Sequence, residues 1–208
     1  MFFLSENNRG VTYVVWDNYN KGELNRSIES VKKQGYEVHV QNVHNTYPGL
    51  SKKGVMMDVS PFDTTLYLDT DTVVHGNLDY GFKMAEAHGL ACVIAPASSA
   101  YHAGPNEMRD LMDTDLPQYN TGVIFFMKDW KSDFQDREYP VKDTFERWKE
   151  LMIQYPESSA KNDQIGFSVA VSESINPYIL PRTWNLRRGI RYEAQITHGE
   201  IKIIHSKK

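Results

Sequence analysis

The chain has 208 residues, 40% hydrophobic and 24% charged, with a net charge of −4. That composition is too apolar for a disordered chain and lacks the basic footprint of a nucleic-acid binder or a polybasic membrane anchor. Its single cysteine, Cys92, excludes an internal disulfide scaffold and a cysteine-based zinc site.

The length reads as one domain over 1–208, or as the catalytic piece of a longer chain. A domain of this size buries on the order of 70% of its unfolded surface, enough for a core without staples. The longest apolar runs, such as 122–127, fall far short of the roughly 20 residues of a membrane helix, so no transmembrane segment is expected. The first residues, Met-Phe-Phe-Leu-Ser-Glu, lack the basic start and long apolar stretch of a signal peptide, and the expected setting is cytoplasmic.

Apolar stretches of strand length alternate with helical patterns, which predicts an α/β architecture. The β-branched and aromatic run 11–16 reads as a first strand. Leu24, Ile28 and Val31 share one helical face, and Gly35 ends that helix. Residues 36–40 alternate as a second strand, 51–59 read as a short helix stopped by Ser60-Pro61, and 64–68 are the third strand. A helix follows over 77–88, then 90–95, an uninterrupted apolar run suited to a strand covered on both faces. Residues 121–127 form another such run, 141–155 are helical, 162–172 read as a helix capped by Asn162, and 201–204 as a last strand. Early strand–helix–strand units predict a mostly parallel central sheet flanked by helices. Such sheets bind ligands beyond the carboxyl ends of their strands.

The most informative stretch is Leu66-Tyr67-Leu68-Asp69-Thr70-Asp71, a buried strand running into two carboxylates. At a strand end Asp69 and Asp71 can converge on one cation, and hard oxygen ligands suit Mg²⁺ or Mn²⁺ with room left for a phosphate-bearing substrate. The spacing alone is weak, since it recurs at Asp113-Thr114-Asp115, which reads as a solvated turn.

Other polar groups carry two readings each. Asn120, within Gln118-Tyr119-Asn120-Thr121-Gly122, either opens a strand or offers hydrogen bonds to hydroxyls at a cleft mouth. Asn162-Asp163-Gln164 either caps a helix or aims an acid and an amide into a site. His205 follows an apolar strand and precedes Lys207 and Lys208; it is either a solvated terminal histidine or a nitrogen ligand that tilts the metal toward Mn²⁺. Arg182, Arg187, Arg188 and Arg191 read mainly as a solvated basic face. Trp184-Asn185 is a loop whose aromatic covers the core or stacks on a ligand.

Taken in order, these pieces resemble a family: the Val14-Val15-Trp16-Asp17 strand end, Ser60-Pro61-Phe62-Asp63 before the Asp69-Thr70-Asp71 stretch, Tyr119-Asn120-Thr121-Gly122-Val123, Asn162-Asp163-Gln164, Leu180-Pro181 to Asn185, and the closing Ile-Ile-His. The chain resembles GT-A glycosyltransferases that use nucleotide-diphosphate sugars, in particular the glycogenin- and galactosyltransferase-like family 8. The resemblance implies a Rossmann-like GT-A fold and a UDP-sugar donor. It also implies transfer to a hydroxyl on a glycan or glycoconjugate, dependence on Mn²⁺ or Mg²⁺, and retention of configuration.

Residue by residue, it implies Asp69, Asp71 and His205 as metal ligands, with Asp69 and Thr70 on the ribose side of the donor. Trp16 and Asp17 would hold the nucleoside, Asn120 and Asp163 the sugar hydroxyls, and Lys207 or Lys208 the diphosphate. Gln164 would face the anomeric carbon, with Asp163 as the base if the reaction inverts. The family's Lys-Pro-Trp after the histidine is absent, and Lys52 or Lys53 can take the place of its basic donor contact. Two rivals remain at this stage. A haloacid-dehalogenase-type phosphatase would use Asp69 as nucleophile, and a non-catalytic module would bind the nucleotide sugar without turnover.

Overall fold

The computed structural model describes residues 8–44, 49–95, 116–132, 138–187 and 199–205. Six strands build the central sheet: β1 (Arg9–Val15), β2 (Glu37–Asn42), β3 (Thr64–Leu68), β5 (Leu90–Ile94), β6 (Tyr119–Met127) and β7 (Tyr178–Ile179). Their order is β2-β1-β3-β6-β5-β7. β1 runs parallel to β2 and β3, and β5 runs parallel to β7. β6 runs antiparallel to both β3 and β5. Five strands therefore share a direction, as expected, but the sheet is mixed because its central strand opposes them. A continuous apolar run records that both faces are covered and says nothing about direction.

Strand alternation separates two cores. Val11, Tyr13 and Val15 of β1, Leu66 and Leu68 of β3, and Val123 and Phe125 of β6 face one layer. Val14, Tyr67, Ile124 and Phe126 face the other. The helices are α1 (Lys21–Lys32), α2 (Met56–Val59), α3 (Asp79–His88), α4 (Pro140–Gln154), α5 (Pro156–Lys161) and α6 (Gln164–Ser174). α1 and α3 cover the first layer through Leu24, Val31, Phe82 and Ala85. α4 and α6 cover the second through Phe145, Trp148, Phe167 and Val171.

Local chemistry sets the helix ends. The Asn20 side chain accepts from the N–H groups of Gly22 and Glu23 at 3.0 and 3.2 Å and caps α1. Gly35, at φ 86, makes the left-handed turn that follows the helix. The predicted helix over 51–59 is a 3₁₀ stretch, Gly49–Val55, that runs into α2. Asn162 closes α5 rather than opening α6, although its Oδ1 still accepts from the Gln164 N–H at 3.0 Å. Asp163 holds the α6 N-cap position without making a cap bond, so its carboxylate is available for other partners.

A second sheet joins the predicted last strand to two strands too short to show in the sequence, in the order β4-β9-β8. It consists of β4 (Thr72–Val74), β8 (Leu186–Arg187) and β9 (Ile203–His205). His205 lies in register with Thr72 on one side and Arg187 on the other. This pairing carries the end of the chain to the Asp69 turn.

Tyr36 ties α1's exit to α3. Its hydroxyl donates to Asp79 Oδ1 at 2.7 Å and accepts from the Leu78 N–H at 3.1 Å. Burial and the neighbouring Asp79 push the phenol up to about 12. A raised folded-state value favours the neutral ring, so this stabilisation is complete below about pH 10 and fades as pH rises through 12. Tyr36→Phe is expected to cost about 1–2 kcal/mol at neutral pH, and its deficit should shrink toward pH 12 in urea titrations.

Candidate active site

The site begins where β3 stops. The Asp69 N–H donates to the Gly122 carbonyl at 2.9 Å, the last tie to β6. The Asp69 carbonyl then accepts from the Thr72 N–H at 3.2 Å and the Thr72 hydroxyl at 2.7 Å, which closes a tight turn over Thr70 and Asp71. The Thr72 hydroxyl is itself 3.0 Å from the Ser27 hydroxyl, which lies 2.7 Å from that of Tyr13. This buried relay anchors the acidic turn to β1 and α1.

The turn and β9 bring Asp69, Asp71 and His205 together, each with a ligating atom within 4.8 Å of the others. His205 Nε2 stands 3.0 Å from Asp71 Oδ1 and 3.6 Å from Asp69 Oδ2. Burial pushes the Asp71 carboxyl up, but its hydrogen bond to His205 and the His205 charge outweigh this and hold it below its ordinary range. The group is therefore ionised at neutral pH. Two carboxylates and one imidazole nitrogen are a donor set that fits Mn²⁺ or Mg²⁺, with the imidazole favouring Mn²⁺. Asp69, Asp71 and His205 would hold the ion, which when bound would supply positive charge at the cavity wall.

Behind the trio lies Lys53, buried, with Nζ 2.8 Å from Asp69 Oδ1 and 3.3 Å from Asp163 Oδ2. Burial pulls the ammonium down, and the charges of Asp163 and Asp69 more than reverse it, leaving Lys53 above its ordinary value. Burial holds the Asp163 carboxyl above the usual range despite Lys53. Tyr67 donates to Asp69 Oδ1 at 2.9 Å. Asp69 thus has Oδ1 held by Tyr67 and Lys53, and Oδ2, which also accepts from Lys53 at 3.0 Å, turned toward His205.

These groups line a cavity of about 540 Å³. Trp16, Asp17, Asp69, Thr70, Asp71, Asn120, Asp163, Gln164 and His205 all face it, so the structure gathers every predicted site residue it describes. Lys207, Lys208, Arg188, Arg191 and the second acidic pair, Asp113-Thr114-Asp115, lie outside the described residues. Gln164 Oε1 is buried with no hydrogen-bond partner among the described residues, which leaves an acceptor at the cavity wall for a ligand's donor, whereas Asp163 Oδ2 is answered by Lys53. Asp17, at φ 49, meets the buried Lys52 at 2.9 Å at the rim. Lys52 and Lys53 therefore do different jobs, one at the rim and one under the acids.

Sequence reading missed some participants. Tyr67 looked like one more core residue. Arg187, grouped with a solvated basic face, lines the cavity instead. The only available signal for it was its place beside Leu186 in a strand too short to carry periodicity. Trp184 serves the core, packed on Phe125 at 5.6 Å between ring centroids.

Gly122 is required by a close approach. A Cβ there would lie 2.6 Å from His205 Cε1 and 2.8 Å from Asp69 Oδ2. Gly122→Ala must spread two of the three candidate ligands, and overpacking of this kind costs about 1–3 kcal/mol. Calorimetric titration with Mn²⁺ should show at least about tenfold weaker binding in that variant.

The fold and the site together define an α/β protein of the GT-A type, a mixed central sheet with a carboxylate–histidine cluster beyond the end of β3. Solved structures of the same architecture agree. The galactosyltransferase LgtC, in a structure with donor and acceptor sugar analogues, matches with a TM-score of 0.64 and 14% identity, over 96% of this chain and 87% of that one. The glycosyltransferase GlyE of Streptococcus pneumoniae matches at 0.60 and 17% identity, over 95% of this chain and 54% of that one. The bifunctional glycosyltransferase WbbM matches at 0.60 and 14% identity, over 99% and 46%. The chain thus spans about half the length of the last two. No family model matches the chain, and no curated protein matches it. No helix among the described residues is long and apolar enough to cross a membrane.

Proposed function

We propose that this chain is a glycosyltransferase that moves a sugar from a nucleoside-diphosphate donor, a UDP-sugar, to a hydroxyl on a glycan or glycoconjugate, with the help of Mn²⁺ or Mg²⁺. The observation that carries this reading is the Asp69–Asp71–His205 cluster at the wall of a cavity large enough for a nucleotide sugar, on a fold that glycosyltransferases share.

In this reading Asp69, Asp71 and His205 would hold the ion, which would supply positive charge for a diphosphate, and Asp69 and Thr70 face the ribose. Trp16 and Asp17 bound the nucleoside end of the cavity. Asn120 and Asp163 hold sugar hydroxyls, and Gln164, whose buried Oε1 has no hydrogen-bond partner among the described residues, faces the anomeric carbon. The bond from C1 to the β-phosphate oxygen breaks as the acceptor oxygen bonds to C1. The acceptor's proton passes to the departing phosphate, so a retaining reaction needs no separate strong base. Lys53 answers both Asp69 and Asp163, so the cation facing the diphosphate is sought elsewhere, in Arg187 or in Lys207 and Lys208.

The test is a thermal-shift panel of UDP, GDP, ADP and inorganic phosphate, each with and without Mn²⁺ or Mg²⁺. A ligand at 100 times its Kd stabilises by about 2.7 kcal/mol. Stabilisation by one nucleoside diphosphate only with the metal is the expected result and names the base. A response to phosphate and Mg²⁺ without any nucleotide response would move the assignment to a phosphatase. Metal-dependent nucleotide binding with no sugar transfer to any acceptor offered would leave a binding module.

A further inference from the structure

Trp16, Asp17, Asn18 and Tyr19 connect β1 to the Asn20 cap of α1, and all four line the cavity. Trp16 packs against one core layer and Tyr19 against the other, so the chain changes sides between them. The change falls at Asp17, whose φ of 49 places it, among the described residues, as the non-glycine in the left-handed region. Aspartate tolerates that conformation better than most residues, yet it persists only where neighbours hold it.

The neighbour here is Lys52. Its ammonium donates to Asp17 Oδ2 at 2.9 Å, and among the described residues no other hydrogen bond ties the side chains of 16–19 to another element. The pair is lopsided, with the Lys52 side chain 7% exposed and that of Asp17 60%. An ordinary surface ion pair leaves both groups in water and contributes little. Here burial fixes the ammonium, and Asp17 is the partner that is held. Lys52 stands on the 3₁₀ stretch Gly49–Val55, docked so closely on α5 that a Cβ at Gly49 would meet the Ala160 carbonyl at 2.8 Å. Leu50 and Lys53 line the cavity but Lys52 does not, so this cation reaches the cavity through Asp17. We propose that Lys52 is a positioning residue for the nucleoside end of the cavity. It holds the Asp17 turn, and the turn sets Trp16 and Tyr19 as the walls that a base and ribose would meet. The ligand half of this rests on the nucleotide-sugar reading above; the turn itself does not.

Lys52→Met keeps the stem and removes the ammonium, and it leaves the exposed Asp17 carboxylate in water, so the fold should survive. In ligand-free wild type, backbone ¹⁵N order parameters at 16–19 should lie near the roughly 0.85 of rigid backbone and fall below about 0.6 in Lys52→Met, with β1 unchanged. Values already low in the wild type, unchanged in the variant, or lowered equally along β1 would each overturn the proposal. Asp17→Gly removes the carboxylate at an exposed position and should loosen the same turn, which keeps the test open if Lys52→Met does not fold. Calorimetry then separates position from charge. With Mn²⁺ present, UDP should bind Lys52→Met about tenfold more weakly than wild type, while inorganic pyrophosphate binds both alike. Equal losses for the two ligands would make Lys52 a cation acting on the phosphates and overturn the proposal, as would unchanged UDP affinity. A wild type that binds none of UDP, GDP and ADP with Mn²⁺ would sink the nucleotide reading and the ligand half with it, and the order parameters would still decide whether Lys52 holds the turn.

Discussion

Replacing Asp71 by Asn is expected to abolish Mn²⁺ binding while leaving the fold in place. The side chain keeps its volume, so the packing of β4 and β9 around it is undisturbed. What is lost is one of two carboxylates in a cluster whose third member is a single imidazole nitrogen. Asp71 is also the acid nearer to His205, at 3.0 Å against 3.6 Å for Asp69. Hard divalent cations draw their affinity from charged oxygens. Loss of a direct ligand should cost more than the roughly 10–100-fold that follows loss of a supporting group. Calorimetry with Mn²⁺ on metal-free protein measures this, and melting without metal provides the control. Affinity within about threefold of wild type would remove Asp71 from the ligand set. The metal-dependent stabilisation by a nucleoside diphosphate should vanish in the same variant.

Lys53→Met should be the most destabilising of the substitutions considered. The ammonium is buried between Asp69 and Asp163, and the methionine fills similar volume without charge. Removing one partner of a buried ion pair leaves uncompensated charge, at a cost of about 3–5 kcal/mol. Here two carboxylates lose the same partner, and Asp163 is the more deeply buried, 3% exposed at its side chain against 18% for Asp69. Chemical denaturation gives the size of the effect. Adding Asp163→Asn should recover part of the loss, because an amide at that place needs no counter-charge.

The pH dependence has a definite sign. Burial already holds the Asp163 carboxyl above its ordinary value, and loss of Lys53 pushes it further in that direction. A carboxyl whose folded-state value lies above its unfolded value, about 3.9, favours the fold in acid and loses that contribution as pH rises through the folded value. The deficit of Lys53→Met relative to wild type should therefore shrink as pH falls. A deficit independent of pH would show that Lys53 acts through packing alone.

Much of this site could be read from the chain before any coordinates. Asp69 and Asp71 stood out because a strand of five apolar or β-branched residues ran straight into them. Asp163 and Gln164 were marked by a helix start, and His205 by an apolar strand at the chain's end. These signals are local, and local pattern reports burial and chain direction well. The same logic failed for Asn162, since two helices meeting at one residue give a cap signal that belongs to either. It failed for β4 and β8, whose two or three residues are too few to display alternation.

The sequence by itself determined the alternation of strands and helices, the two-sided burial of β3, β5 and β6, and the acids and histidine from which a cation site can be built. Only the tertiary structure decided the direction of β6, the burial of Lys53 under Asp69 and Asp163, and the reach of Lys52 to Asp17. Those outcomes depend on which distant segments become neighbours. Strand order and register set that, and no short window of residues carries the information. A residue such as Tyr67 acquires its chemical partner only when the sheet that holds it has closed.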